Sequence, residues 1–208
     1  MPTSTKTPLA SQTTARVGRR MGARDLALVA AFAALIAVFG IVGPIPLAGN
    51  SVPITLQSLG VMLAGAVLGW RRGAAAVAVL LLVGLAVPVL PAGRTVLAAL
   101  PGASAGYLIG WVAGAAVIGA LVQLRLPRVP TWWIALSAVV GGIFVIYLFG
   151  IPVQALRTGV DIPKAIGMSL QYLPGDLIKV AVCTAVAAAV HRAVPGLTAP
   201  LRARRTLP

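Results

Sequence analysis

The nineteen residues Ser104 to Val122, SAGYLIGWVAGAAVIGALV, carry no charged side chain. A hydrocarbon layer about 30 Å thick is crossed by about 17 to 25 helical residues, so this run is long enough to span it. Working outward, five more apolar runs of similar length are bounded by charge, Pro or Gly: Leu26 to Val42, Val52 to Leu68, Gly73 to Leu90, Trp132 to Phe149 and Leu173 to Val190. In lipid each satisfies its backbone N–H and C=O groups only as a helix, because isolated strands leave them unpaired. The sequence therefore predicts an all-α membrane protein, a six-transmembrane-helix bundle, with one domain over residues 25–192 and no internal repeat.

Composition agrees. The 208 residues are 59% hydrophobic and 10% charged, against about 25% charged in an ordinary soluble domain. The charge is lopsided, with 17 Lys and Arg to 3 Asp and Glu. A nucleic-acid binder clusters its cations on a polar face, whereas these punctuate apolar runs. Their distribution reads as membrane topology. In alternate loops, one side holds Lys6, Arg16, Arg19, Arg20, Arg24, Arg71, Arg72, Arg125, Arg128, Arg192, Arg202, Arg204 and Arg205; the other holds only Arg94, Arg157 and Lys164. The richer side is expected to be cytoplasmic, with both termini on it. Trp70, Trp132 and Trp133 stand beside these cationic loops, where interfacial aromatic anchors belong. Residues 1–24 read as a disordered basic cytoplasmic tail and residues 193–208 as a second basic cytoplasmic tail. Arg19 and Arg20 imitate a twin-arginine export signal, but five more spans come after the first and no cleavage site is evident. The one cysteine, Cys183, excludes an intrachain disulfide.

Ionisable residues within a span are costly and mark functional sites by default. Asp176 and Lys179, three apart in Leu173-Pro174-Gly175-Asp176-Leu177-Ile178-Lys179, share one helix face at the outer start of the sixth span. The alternative is a self-neutralising pair that only fixes helix position. Arg94 lies on the same side, in the apolar loop Pro88 to Pro101, which suggests a lid folded over the bundle. An Arg fork above a Lys point charge suits a carboxylate, and an ionised Asp176 accepts N–H donors. The implied ligand is small, anionic at one end and amide-like or urea-like at the other. Asn50, Ser51, Thr55, Gln57, Tyr107, Tyr147, Gln154, Gln171 and Tyr172 are polar candidates to complete the pocket, each with an equally good reading as a cap or interhelical hydrogen bond.

Small residues form two patterns. Gly102, Gly106, Gly110 and Gly114 recur every four positions, a stripe expected to admit a neighbouring helix within the bundle. On the first span Ala27/Ala31, Ala30/Ala34 and Ala33/Ala37 make overlapping Ala-x-x-x-Ala sets, suited to partner docking or to plain packing.

An enzyme is disfavoured. Gly102-Ala103-Ser104-Ala105-Gly106 matches the G-x-S-x-G elbow, but the one histidine, His191, ends the sixth span on the opposite side, beyond the hydrogen-bond reach that a nucleophile and base require. No His, Cys or Glu cluster suggests a metal, and no G-x-x-x-x-G-K-[ST] supplies a phosphate cradle.

Four segments together, VPITLQSLGVMLAGAVLG at residues 52–69, Gly93-Arg94, GYLIG at 106–110 and LPGDLIK at 173–179, resemble BioY, the biotin-specific S component of energy-coupling factor (ECF) transporters. The likeness runs from about Arg24 to His191, in the same order on a matching six-span plan. It implies high-affinity biotin capture from outside the cytoplasmic membrane of a prokaryote, in a pocket near the ends of helices four to six closed by extracellular loops. It also implies partners, a transmembrane coupling T component and two cytoplasmic ATPases, met through Ala27, Ala30, Ala31 and Ala34. No cofactor is expected, ATP being hydrolysed by the partners. Carried over by motif, Arg94 and Lys179 serve the valerate carboxylate and Asp176 the ureido ring; of the polar candidates above, Asn50, Gln57, Tyr107 and Tyr147 are expected in the same pocket. The competing readings are an S component for another small anionic vitamin and a self-sufficient secondary transporter, which would want an ion relay through the bilayer.

Overall fold

In the computed structural model, the described residues are 21–46, 49–50 and 52–201. They form six helical rods. The first is α1 (Ala23–Ile41), followed by α2 (Gln57–Leu68) and α3 (Trp70–Val83). A loop bearing the short α4 (Val96–Ala99) leads to α5 (Ala105–Leu124). The fifth rod runs from α6 (Thr131–Val139) through a π turn at Val140–Val145 into α7 (Ile146–Thr158). After α8 (Ile162–Leu170) comes the last rod, α9 (Leu173–Ala193). No strand forms among the described residues, only two isolated bridges.

Four rods, Ala23–Ile41, Ala105–Leu124, Thr131–Thr158 and Leu173–Ala193, are long and apolar enough to cross a membrane. The second and third are shorter than their apolar runs. Residues 52–55, expected to be helical, are not, and Ile54 exchanges both backbone hydrogen bonds with Ile45 at 3.0 Å. Pro53 has no N–H to give a helix, and the β-branched Val52, Ile54 and Thr55 favour extended backbone. The third run, expected to reach Leu90, leaves the helix after Val83. The fifth passes its expected end at Phe149 and continues through Pro152 to Gly159, which terminates it at φ 69°. Hydropathy marked the apolar runs but not the backbone conformation within them.

The centre of the bundle is α5, which packs against α2, α3 and α7. The glycine stripe explains how closely. Gly110 and Gly114 lie against Ile146 and Gly141, and a Cβ at Gly114 would sit 2.5 Å from the Gly141 carbonyl oxygen. The expected intramolecular use of the stripe is the observed one, although Gly102 precedes the helix. In α1, Val29, Ala33, Ile36 and Gly40 face inward, while Ala27, Ala30, Ala31 and Ala34 are exposed.

At the end of the bundle rich in arginine, Arg72 pairs with Asp25 at 3.0 Å and donates to the Leu197 carbonyl at 2.8 Å. Thr198 donates to the Val67 carbonyl and Gln123 to that of Ala199, at 2.6 and 2.7 Å. The start of the expected C-terminal tail, through Leu201, is thus bound across the ends of α2, α3 and α5. Residues 1–20 and 202–208, most of the two expected tails, lie outside the described residues, as does Ser51.

Gly114→Val is expected to lower the thermal midpoint of the detergent-purified protein, since overpacking a tight core costs about 1–3 kcal/mol. An exposed control on the same helix, Ile109→Val, should leave it within a degree or two.

Candidate functional site

At the end opposite the arginines, the extended segment 52–55 and the turn at 90–94 converge with the starts of α2, α5 and α9 and the first turn of α7. They surround one cavity. Val52, Ile54, Leu90, Leu108, Trp111 and Ile146 supply apolar wall, and Gln57, Ser58, Arg94, Tyr107, Tyr147, Tyr172, Asp176 and Lys179 supply its polar groups. Arg94, Asp176 and Lys179, singled out from the sequence as three scarce charges, do border the same space.

The pair on α9 is built as expected for i, i+3 spacing. Lys179 Nζ lies 2.8 Å from Asp176 Oδ1, and both residues are only 6% exposed. Burial strips water from both ions, at a cost that attraction alone need not repay, so each finds a second partner. Tyr147 donates its hydroxyl to Asp176 Oδ2 at 2.8 Å, and Lys179 donates to Ser58 Oγ at 2.9 Å. Asp176 also sits in the first turn of α9, where the helix dipole favours a carboxylate.

Three tyrosines, all that the chain has, close one side. The rings of Tyr107, Tyr147 and Tyr172 meet edge to face, at 6.2–6.4 Å between centroids. Their hydroxyls diverge. Tyr147 serves Asp176, Tyr107 donates to Gln154 Oε1 at 2.7 Å and lies 2.9 Å from Ser169 Oγ, and Tyr172 donates to the Val52 carbonyl at 2.8 Å. The triad is therefore a rigid aromatic wall with its polar tips anchored.

Arg94 differs from the other two charges. It is exposed on the rim, and the ion pairs among the described residues leave it unmatched with any described acid. Its turn is sharp: Ala92 and Gly93 take φ of 60° and 68°, and the Leu90 N–H donates to the Arg94 carbonyl at 3.0 Å. Pro91 and Leu90 are buried beneath it, so the apolar loop packs down on the bundle as its composition suggested.

Asn50 does not border the cavity. Its amide is spent on the Met168 carbonyl, the Val52 N–H and Gln154, which places it in the scaffold behind Tyr172. Gln171 and Gln154 are likewise outside the wall, while Thr55 and Gln57 are in it. Sequence reasoning missed Ser58, overshadowed by its neighbour Gln57, and Trp111. Trp111 stands four residues after Tyr107 on α5, and that spacing was the available signal. Ser104 borders the cavity, whereas His191 lies at the other end, bonded to the Ala66 carbonyl at 2.9 Å, so the hydrolase pairing fails on distance. No group of metal ligands occurs among the described residues.

The model of the BioY family matches residues 8–196. The chain belongs to that family. It is 46% identical over 185 residues to a biotin transporter BioY of Rhizobium etli, covering 86% of this chain and 99% of that one. It is 43% identical over 183 residues to a biotin transporter BioY of Rhodobacter capsulatus, covering 83% and 95%. Among solved structures, it resembles the S-component for biotin from an ECF-type ABC transporter, with a TM-score of 0.76 and 26% identity over 82% of this chain and 90% of that one. The BioY membership makes this a transport protein rather than an enzyme and accounts for its apolar rods.

Asp176→Leu alone is expected to cost about 3–5 kcal/mol, because it strands a buried ammonium. Asp176→Leu with Lys179→Met should recover much of that loss in thermal melts of the unliganded protein. Equal melting of the single and double variants would mean that the two charges are not coupled.

Proposed function

We propose that this chain is the substrate-binding S component of a biotin uptake system and that the cavity is its biotin site. The observation that carries the reading is the charge layout of that cavity. A rim guanidinium matched with no described acid stands over a buried Asp–Lys pair, between an aliphatic wall and an aromatic one. Biotin has a carboxylate at one end, a cyclic urea at the other and an apolar chain between them, and small-ligand sites combine apolar walls with a few placed polar groups in this way. Arg94 holds the carboxylate at the rim. Lys179, expected at the carboxylate, lies 2.8 Å from Asp176 and so at the same end as that acid, where Asp176 accepts from a urea N–H and Lys179 donates to the urea oxygen, while Tyr107 and Tyr147 line the chain and Gln57 completes the wall. Asn50 supports it from behind.

The cation-rich end faces the cytoplasm, both termini lie there, and the cavity opens to the outside of a prokaryotic cytoplasmic membrane crossed by all six rods. The partners are a transmembrane T component and two cytoplasmic ATPases. The exposed Ala27, Ala30, Ala31 and Ala34 form the docking face, because small side chains allow another helix to approach α1 closely. No cofactor is needed at the site.

Calorimetric titration of the detergent-purified chain with biotin and with biotin methyl ester tests ligand and carboxylate contact together. Tight binding of the acid and much weaker binding of the ester are expected; no heat with either rejects the reading. Asp176→Ala and Lys179→Ala should each weaken biotin binding about a hundredfold or more, since leaving a desolvated charge unpaired costs about 2–5 kcal/mol, and Arg94→Ala, on the solvated rim, should weaken it measurably but less. Three unchanged affinities would remove the residue assignment.

Ala30→Leu and Ala34→Leu are expected to reduce biotin uptake by cells that contain the complete transporter while leaving affinity unchanged. Uptake equal to the parent protein's would assign that face to lipid.

A further inference from the structure

Gln57 occupies an unusual position. It is fully buried at the start of α2 and forms part of the cavity wall. Its side-chain nitrogen donates to two carbonyls on separate parts of the chain, Ile36 on α1 at 3.2 Å and Val89 before the Arg94 turn at 2.8 Å. Those acceptors fix which way the amide points, since a flipped amide would set oxygen against two oxygens. Its oxygen, Oε1, is left as the one buried side-chain polar atom without a hydrogen-bond partner among the described residues.

The junction has no slack. A Cβ at Gly40 would lie 2.5 Å from the Val89 carbonyl oxygen and 2.7 Å from Gln57 Nε2, so α1 closes on this amide through a glycine. Val89 precedes Leu90, whose N–H holds the Arg94 carbonyl. One side chain thus touches the cavity, the inward face of α1 and the root of the Arg94 turn. A buried acceptor with no donor is costly, and the other polar groups of the cavity do not relieve it: Lys179 and Tyr147 donate to Asp176.

We propose that Gln57 is a positioning residue for the bound ligand, whose Oε1 accepts an N–H from the cyclic urea while its Nε2 holds α1 and the Arg94 turn against the occupied cavity. This deepens the biotin reading and rests on it. The urea has two N–H donors. Asp176, already given two donors by the protein, takes one of them and Gln57 the other.

The test uses the full detergent-purified chain and three ligands, biotin and its two ureido N-methyl derivatives. Wild-type protein should bind biotin, and one N-methyl isomer should lose about tenfold through the Gln57 contact, the scale of one hydrogen bond to a buried amide. Gln57→Met should bind biotin about tenfold more weakly and show less than about a threefold further penalty for that same isomer. A full penalty retained for both isomers in Gln57→Met, or unchanged biotin affinity, overturns the proposal. Wild-type protein that binds no biotin overturns the underlying reading instead. If Gln57→Met does not fold, the side-chain amide resonances of wild-type protein labelled with 15N-glutamine decide the matter. The Gln57 signal should move on saturation with biotin, and a static signal refutes the contact.

Discussion

Removing two ions from water is the constraint around which this bundle is arranged. Asp176 and Lys179 are nearly inaccessible, and at that depth a stray charge costs more than most single contacts return. The solution recruits other rods. Tyr147 comes from α7 and Ser58 from α2, so three rods are held in a fixed rotation about their axes by one pair of charges. Mutual edge-to-face contacts of the tyrosines then fix a second ring of positions, because Tyr107 and Tyr172 must meet Tyr147 where the carboxylate holds it.

Those polar demands can be met only if the helices come close enough, and the glycines of α5 provide the distance. Gly110 and Gly114 bring the backbone of α5 against Ile146 and Gly141. The π turn at Val140–Val145 lies at this crossing. A π turn adds a residue to the helical cycle and so rotates α7 about the rod axis relative to α6. It sits just before Tyr147, where a change of rotation determines whether the hydroxyl faces Asp176. Local irregularity and close packing therefore serve the same contact.

This also explains which features the sequence disclosed. Scarce charges in apolar runs are conspicuous because each is expensive, so Arg94, Asp176 and Lys179 were legible, as was the periodic glycine stripe. The segment 52–55 was not. Its residues are apolar enough for a span, and only the backbone preferences of Pro53 and its β-branched neighbours distinguish an extended wall from a helix. Trp111 was hidden for a related reason: within an apolar run, an aromatic facing a cavity has the same composition as one facing lipid. Asn50 was expected in the pocket and lies outside the cavity wall, because an amide beside a polar cluster serves a scaffold as readily as a wall until its partners are known. The docking of residues 197–199 on the arginine-rich end depends on backbone carbonyls, which no side-chain pattern announces.

The charge balance of the cavity bears on selectivity as well as affinity. Two cations and one carboxylate leave a single positive charge in excess, and it belongs to the rim arginine rather than to the buried pair. A neutral analogue would leave that guanidinium to water and gain nothing from it, while a dianion would bring a second charge to a wall that is otherwise aliphatic and aromatic. A monoanion satisfies the excess. Because the buried pair is already neutral and hydrogen-bonded without ligand, it need not be recharged on binding; its free lone pairs only orient the far end of the guest. On the proposed biotin reading, the cavity separates attraction at its mouth from orientation at its floor, and the apolar length between them measures the ligand.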